Sequence, residues 1–96
     1  MAKLMKASGD VIDVQPKNAG EPFTLEELKG FVGGWIECVY LPNGKQVIVV
    51  NEEGKLMNLP YNAIATETMA LAFQPNRIND FIVGDALLCE IGTEID

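Results

Sequence analysis

Residues 31–60 read FVGGWIECVYLPNGKQVIVVNEEGKLMNLP, and the fold is decided there. From Trp35 to Leu41 the side chains alternate, with Ile36, Cys38 and Tyr40 on one face and Trp35, Glu37, Val39 and Leu41 on the other. A period of two, rich in β-branched and aromatic residues, predicts a strand. Pro42-Asn43-Gly44 closes it: proline presets φ, and Asn-Gly between apolar runs is a strong hairpin signal. Gln46 to Val50 then runs Val-Ile-Val-Val without polar interruption, which predicts a central strand covered on both faces. Asn51-Glu52-Glu53-Gly54 predicts a type I turn with Gly54 left-handed. Lys55 to Leu59 is expected to return as a short third strand, ended by Pro60, which lacks an amide donor.

Toward the N-terminus, Lys3 to Ala7 and Val11 to Val14 flank the turn-like Ser8-Gly9-Asp10 and predict an opening hairpin. Pro16 to Pro22 is a loop by composition. Thr24 and Glu27 have the spacing of a capping box, Phe23 and Leu28 that of a hydrophobic staple. Leu25, Leu28, Phe31 and Val32 share one helical face, and Gly33-Gly34 supplies a left-handed stop. Toward the C-terminus, Asn62 to Phe73 predicts a short helix capped by Asn62 and ended before Pro75. Phe81 to Ile91 reads as one long strand inside the sheet, bent at Gly84-Asp85. Residues 1–96 are thus expected to form a single α+β domain: a mostly antiparallel sheet of about four to six strands, with one capped helix packed on a face.

Four pieces occur in a fixed order: VGG-W-IE-x-V-Y from Val32, NEEGK from Asn51, LP-x-N from Leu59 and IVG from Ile82. This pattern, over roughly Leu25 to Cys89, resembles an uncharacterised family, a domain of unknown function, found in small proteins of phages, plasmids and other mobile elements. The resemblance implies a genomic setting and no mechanism. The chain departs from the family's pattern between Asn62 and Asp80, where a shorter, more polar connection is expected.

Ninety-six residues with 48% hydrophobic content suit one globular core. The net charge of −7 rests on seven scattered cations, whereas nucleic-acid binding needs clustered ones that displace counterions. Direct nucleic-acid binding is not expected. No apolar run approaches the roughly 20 residues of a spanning helix, and Lys3 and Lys6 precede no apolar segment of the kind that directs export. The expectation is a cytoplasmic protein without a membrane partner. In that setting Cys38 and Cys89, both within apolar strand patterns, read as small hydrophobes.

The absence of histidine removes the commonest general base and the Ser-His and Cys-His nucleophile pairs. Two cysteines make a poor zinc site, and neither a P-loop nor a DxDxDG calcium loop is present. Glu37 and the Glu52-Glu53 pair are the carboxylates to consider for acid-base work, but the pair sits on a turn whose side chains project apart. No enzyme, no cofactor and no metal is expected. Binding is the remaining class. Trp35 and Tyr61 are amphipathic aromatics of the type enriched in hot spots. Together with Asn51, Glu52, Glu53, Lys55 and Asn62 they are the candidate binding residues, a polar rim with aromatic anchors. The leading expectation is a small non-enzymatic accessory protein of a phage or mobile element that binds a host protein, in defence or regulation. The alternatives are a small-molecule binder, such as an oligomeric sponge for a nucleotide signal, and a structural subunit without a ligand. Scarce cations weigh against an anionic ligand, and a homo-oligomer is compatible with each reading.

Overall fold

The computed structural model describes residues 1–76 and 79–95. Five strands, β1 (Ala2–Met5), β2 (Val11–Val14), β3 (Ile36–Tyr40), β4 (Gln46–Asn51) and β5 (Ala86–Glu90), form one sheet in the order β2-β1-β5-β4-β3. Every pairing is antiparallel. Helix α1 (Leu25–Val32) covers one face and α2 (Ala63–Ala72) the other. The fold class is the expected α+β, with β4 and β5 at the centre and β2 and β3 at the edges.

The alternation of each strand divides the core. Val47, Val49, Leu87 and Cys89 point toward α1, where Phe23, Leu28 and Val32 meet them. Ile48, Val50 and Ala86 point the other way, where Ala65 and Met69 of α2 and Ile82 close over them. Because β4 is central and has α1 over one face and α2 over the other, both its faces are apolar, which is why its sequence shows no polar interruption.

Helix α1 starts where its capping box predicts. The Thr24 hydroxyl accepts the Glu27 N–H at 3.1 Å, and the Glu27 carboxylate accepts the Thr24 N–H at 3.0 Å. These bonds, with one from the Lys17 amide, hold the Glu27 carboxyl below its ordinary range. Gly33 ends the helix at φ 82°, and Gly34 serves a different need: a Cβ there would stand 3.0 Å from the Asn51 amide nitrogen. Leu25, expected on the buried face, is exposed instead.

Three expectations are corrected. Residues 55–59 are not a strand: Met57 N–H donates to Glu53 O and Leu59 N–H to Gly54 O, so the segment coils through turns and leaves through Asn58 at φ 56°. The place beside β4 that a third meander strand needs is taken by β5, whose long-range pairing no local pattern announces. Gly54 is not left-handed; it is buried, and a Cβ there would lie 3.0 Å from Val83 Cγ2. Glycine is required for space rather than for φ. Finally, Phe81 to Ile91 is not one strand: β5 begins at Ala86, after Gly84 turns the chain at φ 74°. Val83 makes only a single bridge, to Tyr61.

Candidate functional site

Helix α2 leaves part of its face uncovered. It stands further from the sheet than α1, which lies close across β3, β4 and β5. Between α2 and edge strand β3 a groove of about 150 Å³ opens. Its apolar surface comes from Val39, Val50, Met69, Ile82 and Val83, its walls from the 52–56 turn and the 80–83 segment. Glu37 and Val39 enter it together because they are neighbours on the same side of β3. Leu56, on the turn, is 86% exposed at the groove's lip. Its side chain adds apolar surface to the rim beside the apolar lining, so the two together form one exposed apolar patch.

The rim is acidic. Among the described residues that line the groove, Glu37, Glu52 and Asp80 face one cation, Lys55, a formal excess of two negative charges. Lys55 pairs with Asp80 and lies 4.4 Å from the centroid of the Phe81 ring. The Lys55 contact, with the Phe81 amide, lowers the Asp80 pKa. Phe81 in turn packs against Tyr61, their centroids 6.2 Å apart. Tyr61, Phe81 and Lys55 therefore form one continuous ridge beside the groove.

Of the seven residues singled out from sequence, the groove's lining takes in Asn51, Glu52 and Lys55, with Tyr61 joined through Phe81. Asn51 is buried, its amide donating to Val32 O at 3.1 Å and its carbonyl oxygen accepting the Glu53 N–H at 2.8 Å. Asn62 is fully buried: it caps α2 by accepting the Ala65 N–H, and donates to Met5 O and Gly84 O. Both asparagines have their side chains engaged inside the fold. Glu53 is exposed on the turn outside the groove. Trp35, expected on the face of Glu37 and Val39, does not line the groove: it precedes β3, and its ring lies 4.0 Å from the Lys29 ammonium of α1.

Sequence reasoning missed Phe81, Asp80, Leu56 and Val39 as rim or lining. Phe81 and Asp80 were absorbed into a predicted long strand and the loop before it. Leu56 was taken into the strand expected over Lys55 to Leu59, and a single exposed leucine carries no signal of its own.

Other hollows hold less chemistry. One of about 540 Å³ lies between the Gln15–Pro22 loop and Gly92–Glu94, with Lys17 its only cation among the described residues. Among the described residues no group of three or more Cys, Asp or Glu could hold a metal ion, and no helix is long and apolar enough to cross a membrane.

Fold and groove together define an antiparallel α+β domain with one closed and one partly open sheet face. Residues 5–96 match the model of the family described as "Domain of unknown function (DUF3846)". The chain belongs to that family, and the match reaches beyond the 25–89 region in which the sequence pattern lies. No curated protein and no solved structure matches the chain.

Proposed function

We propose that this is a non-enzymatic binding protein that recognises another protein through the groove between α2 and β3. The observation that carries the reading is an apolar floor ringed by three carboxylates, with Leu56 and an aromatic ridge exposed at its lip. Such a surface suits an apolar side chain flanked by lysine or arginine, since an anchored side chain supplies affinity and rim charges set approach and partner choice. The phage and mobile-element setting that the sequence pattern resembles would make the partner a host protein met in the cytoplasm.

A small-molecule role for this groove is supported less. About 150 Å³ is below the usual range of roughly 300–1,000 Å³ for ligand sites, and Lys55, the groove's cation among the described residues, is already paired with Asp80.

The test is selection of a random linear peptide library on the full chain. Enriched peptides should bind wild type, lose most affinity for a Glu37→Lys/Glu52→Lys variant, and carry a large apolar residue near Lys or Arg. Peptides that bind this folded variant as they bind wild type would remove the groove as the site.

A further inference from the structure

The groove is open at the edge of the sheet, because Glu37 and Val39 belong to β3, the last strand. That edge has free backbone groups whose positions follow from the register. Trp35 O accepts the Glu52 N–H and Leu41 N–H donates to Gln46 O, so the positions bonded to β4 are Trp35, Glu37, Val39 and Leu41. In an antiparallel ladder the bonding direction alternates. Ile36, Cys38 and Tyr40 therefore turn three N–H and three C=O groups outward from the sheet, with no backbone partner there among the described residues.

Natural edge strands are commonly guarded by proline, lysine, a bulge or an inward-pointing charge. β3 has no proline, no lysine and an unbroken register with β4; its single guard is Glu37, on the groove side. A carboxylate there opposes an acidic or apolar strand and favours a basic one.

We propose that the partner segment binds as an added strand along β3, hydrogen-bonded to Ile36, Cys38 and Tyr40, with every second side chain turned into the groove. This rests on the reading of the groove as a protein-binding site and specifies its mode. The residue over Val39 is apolar and fills the 150 Å³ hollow; the one two positions away, beside Glu37 and Glu52, is lysine or arginine. The intervening side chains face the α1 side of the sheet and pass the exposed Tyr40. Main-chain bonds supply affinity in this mode and alternate pockets supply selectivity. The occupant is a basic, alternating segment of another protein rather than a second copy. Pairing β3 with β3 would bring a second Glu37 to an edge whose groove is already lined by Glu37, Glu52 and Asp80.

The experiment uses peptides enriched by the full chain and compares Tyr40→Pro with Tyr40→Thr. Proline at 40 removes an outward N–H and leaves the β3–β4 bonds in place, as edge strands tolerate; threonine loses the same ring but keeps the N–H. Tyr40→Pro should bind roughly tenfold more weakly than Tyr40→Thr, about the worth of one main-chain hydrogen bond. A second measurement needs no variant of the protein: N-methylation along the peptide should abolish binding at alternate residues and be tolerated between them. Equal binding of the two Tyr40 variants, or uniform tolerance of N-methylation, would overturn strand addition. If binding then still fails with Glu37→Lys/Glu52→Lys, the groove stands and only the mode falls. If no peptide is enriched, or the groove variant binds normally, the underlying reading falls and takes strand addition with it.

Discussion

The two faces of the sheet are equally apolar but unequally covered. On the α1 side, a helix joined to β3 through Gly33-Gly34 is held close across β3, β4 and β5. Phe23 and Phe31 meet edge to face there, with ring centroids 5.6 Å apart, and Cys89 is sealed beneath. On the α2 side, the helix is tied at its start by Asn62 and reaches the sheet mainly through Ala65 and Met69, leaving Val39 and Val50 beside a hollow. The closed face is a core; the partly open one has room for a side chain that this chain does not supply. Equal hydrophobicity thus gives stability on one side and a binding surface on the other, and the difference lies in how each helix is tethered.

The largest expected effect separates neighbours on the open face. Asn62→Ala removes a helix cap and the buried side-chain donor to the Met5 and Gly84 carbonyls, and should cost about 3 kcal/mol. Tyr61→Ala, one residue earlier and 55% exposed, should cost no more than about 1 kcal/mol. Urea unfolding of both variants checks the contrast, and similar losses would mean that the aromatic ridge is itself part of the core.

Next comes the groove wall. Gly54→Ala should cost about 1–3 kcal/mol by crowding Val83, and Val83→Ala should recover part of it. Strict additivity in the double-mutant cycle would show that the cost arises elsewhere.

On the closed face, Thr24→Ala should lower stability by about 1 kcal/mol without changing peptide affinity, because the hydroxyl serves only the end of α1. An unchanged urea midpoint would remove the capping box from the account. The two thiols give the smallest effect and the sharpest contrast. Burial, then the charges of Glu94 and Cys38, pushes the Cys89 thiol up to about 12, while Cys38, half-buried at the edge, is raised by burial to a lesser degree. Iodoacetamide at mildly alkaline pH should modify Cys38 first and Cys89 only on unfolding. Both folded values lie above the ordinary 9.0, so this contribution to stability is intact below pH 9. For Cys89 it is lost as pH rises from 9 toward about 12. Early labelling of Cys89 would show that the α1 face opens readily.

Local chemistry was legible in the sequence where the cause is local. The α1 capping box, the Asn43-Gly44 hairpin, the Asn62 cap and the alternation of β3 each depend on residues within a few positions. The insertion of β5 between β1 and β4 depends on contacts some forty residues apart in β4 and more than eighty in β1, and its absence from the reading turned residues 55–59 into a strand. Gly54 was recognised as necessary for the wrong reason, since the Val83 side chain that excludes a Cβ comes from a distant segment. The polar rim was located in part: Glu52, Lys55 and Tyr61 share one region, while Asn51 and Asn62, polar and next to turns, are the interior bonds on which that region is built.

The central claim is that the open face ends in an edge prepared for a strand, and amide hydrogen exchange at single-residue resolution tests it most directly. In the free protein Glu37 and Val39 should be protected by β4, while Ile36, Cys38 and Tyr40 exchange quickly. Adding an enriched basic peptide should slow exchange at those three amides and leave β2, at the opposite edge, unchanged. Unaltered exchange at all three with peptide bound, or new protection confined to Val11–Val14, would contradict it.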